Sequence, residues 1–270
     1  MQGAKRPLAN MAIFFIALIT LLTIIYSLGF NPTGYEYNAV NIDLILEAPS
    51  WQHWFGTDAL GRDLLVRIIH GAKMSLFIAF LTAFNAFVIG TSLGIIAGYK
   101  GGWIEEVIVK IIDFIYSLPD LLVLSIIALF VSKSTTGIVI GLAFINWMDV
   151  ARVTRAEIKR LKSEEYIVAT QVLGADSMHI IFKHIFPNVL GSILVALSFT
   201  IPRAILSEST LSFIGLGISP PDTSWGTLAG DAWQYLRTDP HLIFFPALMI
   251  FLTVLSFNQF GDWLRIKYVK

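Results

Sequence analysis

Six apolar stretches, each close to the length of a membrane-crossing helix, constrain this chain more than any other feature of its sequence. A helix needs roughly 20 apolar residues to cross a bilayer, and only helices and closed barrels satisfy their backbone polar groups in lipid. The stretches are too continuous for a barrel, whose strands alternate over about 10 residues. Apolar residues make up 56% of the chain and charged residues 14%. We therefore predict an all-α polytopic membrane protein with six transmembrane helices. In chain order the stretches are 11–29, 74–99, 107–131, 136–149 (continued by the polar run 150–162), 187 to beyond 201, and 241–260.

The basic residues predict the orientation. Residues 1–72 are expected to form an N-terminal transmembrane helix and an extracytoplasmic segment, and residues 73–270 a five-helix core. Lys5 and Arg6 precede the first stretch, but its apolar core is longer than the roughly 7–15 residues of a signal peptide, which favours an uncleaved helix. With both termini inside, 13 of the 19 basic residues lie in the cytoplasm and 6 outside. The positive-inside rule thus favours a multi-pass protein of the cell membrane with both termini cytoplasmic.

Several functions are excluded or disfavoured by residues that the sequence lacks. A formal net charge of zero argues against nucleic-acid binding, and the absence of cysteine excludes a disulfide framework or a thiolate zinc site. The nearest match to a phosphate-binding G-x-x-x-x-G-K-[ST] motif is Lys133-Ser134, which follows Ser132 instead of glycine, so this chain is not an ATPase. His179 and His184 lack the i, i+4 spacing of a helical metal pair, which favours structural roles. We expect no enzymatic activity, no metal and no cofactor in this chain.

Glycines spaced four apart predict close helix packing. The second stretch contains Gly90, Gly94 and Gly98 on one helical face, and the fourth contains Gly137 and Gly141. Small residues at this spacing let two helix backbones approach each other closely. The favoured interpretation is packing within the chain, and the alternative is contact with a second membrane subunit.

Charged residues inside the apolar stretches mark functional positions, because charge at membrane depth is costly. Lys110 and Asp113 lie three apart and are expected to pair on one helix face near the cytoplasmic boundary. Pro119 is expected to kink or break the third helix. Arg203 and Glu208 in the fifth stretch have two interpretations, either lining a pathway or outer gate or forming a local pair.

The cytoplasmic segment 163–187 between the fourth and fifth stretches has the pattern of two short helices joined by a glycine. Ser163 is the expected N-cap of the first helix, and the glutamates that follow it suit the first turn, where the helix dipole favours acidic groups. That helix is expected to end at Leu173, with Gly174 free to adopt a left-handed backbone conformation.

Asp176 is the expected N-cap of the second helix, which should end against Pro187 as the fifth stretch begins. The first helix carries apolar residues on a segment that faces water, so the segment either docks onto a partner protein or lies flat on the membrane. Periodicity alone leaves these two interpretations open. The apolar residues concerned are Tyr166, Ile167, Val168, Ala169 and Leu173.

This segment resembles the cytoplasmic motif of binding-protein-dependent ABC importer permeases, in which E-A-A is followed after three residues by Gly and after nine more by I-x-L-P. Here Val168-Ala169-Thr170 precedes Gly174 at the same spacing, and the motif closes with 184–187, His-Ile-Phe-Pro. The residues of this segment most closely resemble the motif of the peptide/nickel branch of the family. Three further stretches resemble the C-type permease subunit of that branch: 56–63 (GTDALGRD), 211–226 (beginning LSFIGLG) and 257–265 (beginning FN).

The resemblance implies a type I ABC importer permease in which 163–187 is a coupling segment that contacts an ATPase subunit. It further implies a second homologous permease subunit, two ATPase subunits that bind ATP and Mg, and an extracytoplasmic solute-binding protein. The implied cargo is a short peptide; a nickel chelate is the alternative within the branch, and an ATP-independent secondary transporter is the alternative outside it. The implied coupling residues are Glu164, Glu165, Tyr166, Val168, Ala169, Thr170, Leu173, Gly174, Ala175, His184 and Pro187.

Overall fold

The computed structural model describes residues 5–131 and 134–268, with residues 5–8 described by backbone only. Lys133 and Lys270, two of the residues used to predict the orientation, lie outside this description. Within it the chain is helical, and its only extended pairing is an isolated bridge between Thr57 and Asp63. The α-helices are α1 (Lys5–Ser27), α2 (Leu64–Asn85), α3 (Thr91–Lys100), α4 (Gly102–Tyr116), α5 (Asp120–Val131), α6 (Thr135–Lys162), α7 (Glu165–Val172), α8 (Ser177–His179), α9 (Phe186–Phe213), α10 (Trp225–Ala232) and α11 (His241–Tyr268).

Six apolar helical units agree with the six predicted spans. Five continuous segments of the described chain are long and apolar enough to cross a membrane, and α4 and α5 together make a sixth, bent by 89° at a short break. Pro119 lies in this break and causes it, because proline lacks the N–H that a continuing helix needs. The five continuous segments are Ala9–Ser27, Leu64–Lys100, Thr135–Lys162, Ser177–Phe213 and His241–Tyr268.

The second span is longer than predicted at its outer end. α2 begins at Leu64, ten residues before the expected start, because the Asp63 side chain accepts a hydrogen bond from the Val66 amide at 2.9 Å and caps the helix. The predicted domain boundary at 72/73 therefore falls inside α2. A π-helical segment, Ala86–Gly90, joins α2 to α3 without a break.

The predicted glycine face of the second stretch is in close contact with a neighbouring helix. A Cβ atom added at Gly90, Gly94 or Gly98 would lie 2.5–2.9 Å from atoms of α6, which is closer than real side chains approach. We call this contact between α2–α3 and α6 the glycine seam. Gly141 on α6 faces α5 less tightly, since an added Cβ would lie 3.3 Å from the Ile127 side chain, and Gly137 is buried near the start of α6. Packing within the chain therefore accounts for the glycines of the seam and for Gly141.

The three further motif stretches, 56–63, 211–226 and 257–265, also lie at contacts between separate parts of the chain. Gly261 of the 257–265 stretch lies where an added Cβ would be 2.6 Å from the Ser198 hydroxyl, so α11 and α9 are in close contact there. Trp225 is fully buried and donates a hydrogen bond from Nε1 to the Ile68 carbonyl at 3.1 Å, which fixes the start of α10 against α2. The stretches 56–63 and 211–226 meet where their residues line one cavity.

Candidate functional site

α7 is attached to the bundle through the buried side chain of Ile167. Ile167 is fully buried and belongs to an apolar cluster, which we call the α7-side cluster, that includes Ile158 of α6 and Val189 of α9. The sequence analysis grouped Ile167 with residues facing water, and that assignment is wrong. Its burial makes α7 a rigid attachment to α6 and α9.

The opposite face of α7 is apolar and open. Val172 is 82% exposed and Leu173 87% exposed, and Tyr166 and Val168 are each about half-exposed at 45%. Ala169 is exposed beside them. These five residues, which we call the coupling face, form an apolar surface that suits either a partner protein or the membrane surface.

The ends of α7 differ in part from the prediction. Ser163 is not its N-cap, because α6 continues to Lys162 and the Ser163 hydroxyl donates to the Arg160 carbonyl at 2.7 Å. Glu164 takes the N-cap position, without a capping side-chain hydrogen bond. At the other end Gly174 has a φ of +81°, which is the left-handed conformation expected of it.

The second half of the segment runs into the next span. The Asp176 side chain accepts from the Met178 amide at 2.9 Å, which confirms the predicted cap. Pro187 does not end a helix there. It lies in the first turn of α9, which a π-helical segment, Ile180–Ile185, joins to α8. Proline is tolerated in a first helical turn because the N–H it lacks has no helical partner there.

The remaining predicted coupling residues lie around these elements. The Glu164 carboxylate lies 3.3 Å from Arg160, and Glu165 is exposed at the start of α7. The Thr170 hydroxyl donates to the Tyr166 carbonyl at 2.6 Å. Ala175 packs against the α7-side cluster. The rings of His179 and His184 meet edge to face at 5.8 Å, and the described residues contain no group of three or more His, Cys, Asp or Glu that could hold a metal ion.

Arg203 and Glu208 occupy different surroundings, so the alternative of a local pair between them is wrong. Residues five apart on a helix point in different directions. The Arg203 guanidinium donates to Asp120 at 2.7 Å and also to Asp149, whose other oxygen accepts from the Tyr116 hydroxyl. We call these four residues, Tyr116, Asp120, Asp149 and Arg203, the charged cluster.

The predicted pairing of Asp113 with Lys110 is also wrong. Asp113 instead accepts from Arg152 of α6 at 2.8 Å, because α4 lies beside α6 and a neighbouring helix offers a closer cation than the next turn. Asp149 was missed as a functional residue, since it falls where the fourth apolar stretch gives way to polar residues. Asp149 lies six residues before Arg155 and ten before Lys159, and both of these cations bond to Glu105. This spacing marks a polar face of α6 that a count of helical periodicity could have found.

Glu208 is fully buried in a network of hydroxyl groups. Ser212 donates to its carboxylate at 2.7 Å, and Ser75 of α2 lies 3.5 Å from it. The Ser75 oxygen also accepts from the Trp225 amide at 3.2 Å. Glu208 therefore joins α9, α2 and the start of α10, and its burial argues against a direct contact with anything that passes along the bundle.

Glu208→Leu is expected to lower the free energy of unfolding by about 2 kcal/mol, because it leaves buried hydroxyl groups without their acceptor. Glu208→Gln keeps an acceptor oxygen at the same place and serves as the matched control. Thermal unfolding of the purified permease in detergent measures both. Equal stability of the two variants would contradict the role assigned to the network.

The stretches 56–63 and 211–226 line a cavity of about 520 Å³ at the end of the bundle away from α7. Asp58 lies 2.7 Å from Arg62 and 3.2 Å from Arg67 on one wall, and Asp231 of α10 lies on another. Burial raises the pKa of Asp231, and the positive charges of Arg67 and Arg62 oppose that rise.

Comparison with known proteins gives one family. The family described as "Binding-protein-dependent transport system inner membrane component" matches residues 90–267. The oligopeptide transport system permease protein OppC of Bacillus subtilis (strain 168) is 39% identical over 97% of this chain and 85% of its own length. The dipeptide transport system permease protein DppC of the same strain is 37% identical over 98% of this chain and 83% of its own length.

Solved structures share the fold at lower sequence identity. A chain of the MetNI methionine ABC transporter, in inward facing conformations, matches with a TM-score of 0.62 and 19% identity, covering 77% of this chain and 97% of that chain. A chain of an amino acid ABC transporter matches with a TM-score of 0.56 and 19% identity, covering 76% of this chain and 93% of that chain. The fold is therefore that of a type I ABC importer permease.

Proposed function

The chain belongs to the family of binding-protein-dependent transport system inner membrane components, and we propose that it is a permease subunit of an ATP-driven importer of short peptides. The names of its relatives, which are oligopeptide and dipeptide permeases at 36–39% identity, support a peptide over a nickel chelate as the cargo. The proposed assembly contains a second homologous permease, two ATPase subunits that bind ATP and Mg, and an extracytoplasmic solute-binding protein. This chain itself needs no cofactor.

The observation that carries the proposal is the coupling face on α7. α6 has 28 residues and a length of about 42 Å at ~1.5 Å per residue, which is about 12 Å more than a hydrocarbon core of ~30 Å. α7 follows the end of α6 directly, so it projects beyond the lipid tails. This position supports a protein partner for Val172 and Leu173 over an arrangement flat on the membrane.

The proposed mechanism follows from how α7 is attached. Ile167 anchors α7 between α6 and α9, so a displacement of α7 by an ATPase subunit moves the inner ends of both helices. Closure of the ATPase pair around ATP then switches the bundle between inward-facing and outward-facing states. Both termini and the coupling segment lie on the cytoplasmic side in this proposal, as the basic residues predict.

The substitution Leu173→Asp tests this proposal. A charge at the centre of an apolar interface should reduce recovery of the ATPase subunit with the detergent-solubilised permease about tenfold or more. Leu28→Asp is the matched control. Leu28 directly follows the last residue of α1, Ser27, and is 83% exposed. Loss of ATPase recovery in both variants, or in neither, would count against docking through α7, and wild-type vesicles that take up no peptide with ATP would refute the proposed function itself.

A further inference from the structure

The charged cluster joins four helices of the bundle, α4, α5, α6 and α9. Arg203 on α9 donates to Asp120 at the start of α5 and to Asp149 on α6. The Tyr116 hydroxyl donates to Asp149, and the Arg152 guanidinium lies 4.1 Å from the centre of the Tyr116 ring. Two carboxylates and one guanidinium give the cluster a formal charge of −1.

Distances along three helices indicate how deep the cluster lies in the membrane. Arg203 lies ten residues before the end of α9 at Phe213, which is about 15 Å along the helix. Asp120 lies 11 residues before the end of α5, or about 16 Å, and Asp149 lies 14 residues after the start of α6, or about 21 Å. Taking these helix ends as the edge of the hydrocarbon core, whose half-thickness is about 15 Å, we infer that the cluster lies within about 6 Å of the midplane.

The cluster is open on one side. The side chains of Arg203, Asp120 and Asp149 are 36%, 38% and 46% exposed on this chain. Half-exposed charges at the midplane do not face lipid tails, because charged groups inside membranes face the bundle interior or a water-filled cavity. The open side of the cluster therefore marks the part of this surface that faces water or another subunit.

A polar track leads from the cluster toward the cytoplasm. Arg152, Arg155 and Lys159 follow Asp149 on α6 at intervals of three to four residues, which places them on one helix face. Arg152 and Lys159 are about half-exposed. These three cations bond to Asp113 and Glu105 of α4, so this face of α6 packs on α4 and leaves Arg203, Asp120 and Asp149 as the open charged groups.

We propose that the charged cluster faces the translocation pathway and that its net negative charge discriminates among peptides by charge, favouring cationic ones. This inference rests on the proposed function and names specificity-determining residues for it. Asp120 and Asp149 attract a lysine side chain or an ammonium terminus in transit, and Arg203 keeps that attraction weak enough for release. The solute-binding protein selects peptides separately, before they reach this chain.

The test is the uptake ratio of two tripeptides, Ala-Lys-Ala and Ala-Glu-Ala, in vesicles that contain the complete transporter and its binding protein. The preference of the binding protein is the same for every permease variant, so it cancels when variant ratios are divided by the wild-type ratio. Asp120→Asn removes one negative charge and should lower the lysine-to-glutamate ratio about 25-fold, because a unit charge at contact distance changes the uptake of each peptide about fivefold and in opposite directions. Arg203→Gln adds one net negative charge and should raise the ratio.

Two controls keep this test decisive. Arg203→Lys retains the charge and should retain the wild-type ratio, and Asp43→Asn makes the same chemical change as Asp120→Asn at an exposed position outside the membrane. A ratio is measured per active transporter, so reduced assembly does not alter it. An unchanged ratio in Asp120→Asn, with ATP-driven uptake intact, would overturn the inference while leaving the proposed function standing.

Cysteine labelling tests the water-facing position directly, because the chain has no cysteine of its own. Ser117→Cys lies three residues before Asp120, and Ser207→Cys lies four residues after Arg203, both at sites that are not buried. A membrane-impermeant thiol reagent should modify both in the assembled transporter and should not modify Ala17→Cys, which is exposed in the middle of α1. Protection of both reporter cysteines in every nucleotide state would place the cluster against the second permease and overturn the inference.

Discussion

Gly174→Val is expected to abolish ATP-driven peptide uptake while the chain still inserts into the membrane. Gly174 has a φ of +81°, which costs roughly 1–2 kcal/mol for a residue with a Cβ atom and more for a β-branched one. A Cβ at this position would meet no atom within 4 Å, so the substitution acts on the backbone alone and not through a clash. The strain should turn the end of α7 and carry Leu173 out of its docking position.

Two variants separate this effect from general damage. Gly174→Asn should retain most of the uptake, because asparagine tolerates the left-handed conformation better than other residues with a side chain. Gly29→Val makes the same change at a glycine with a φ of +95° and no atom near its Cβ, next to α1. Uptake and binding-protein-stimulated ATP hydrolysis are measured together in vesicles. Normal uptake by Gly174→Val would show that the backbone turn after α7 is dispensable.

Gly94→Ile is expected to prevent assembly of the transporter. Even the first side-chain atom at this position would lie 2.6 Å from the Thr154 Cβ and 2.8 Å from the Ala151 carbonyl oxygen. Overpacking of a core costs about 1–3 kcal/mol where side chains can adjust, and here a backbone atom of α6 stands in the way. We expect recovery of folded permease to fall to about a tenth of wild type or less.

Ser92→Ile provides the control for Gly94→Ile, since Ser92 is exposed on the same helix and receives the same side chain. Its recovery should match wild type, which shows that isoleucine itself is tolerated in α3. Size-exclusion profiles and thermal unfolding in detergent measure both variants. A folded, stable Gly94→Ile permease would mean that α3 and α6 can separate without loss of structure.

The features that sequence analysis predicted correctly depend on local chemistry. The spans follow from the length and apolarity of each stretch, the break at Pro119 from one missing N–H group, and the turn at Gly174 from its freedom at positive φ. The cap at Asp176 likewise involves only its own next residues. These features need no knowledge of which helices are neighbours.

The errors concern contacts between distant parts of the chain. Arg203 has partners 54 and 83 residues away, and a local pair with Glu208 was the nearest guess that the sequence offered. Ile167 is apolar like the residues of the coupling face, so only the packing of α6 and α9 shows that it points inward. The N-cap at Ser163 failed because α6 extends to the residue before it and uses Ser163 at its own end.

The glycine seam decides which parts of the permease travel together during a transport cycle. Backbones in such close contact leave no room for one helix to slide or rotate on the other, so α2–α3 and α6 behave as a single body. The chain is interrupted beside this body at Pro119 and Gly174. We therefore expect shape changes to concentrate at these two interruptions, and the dimensions of the central block to stay constant between the inward-open and outward-open forms.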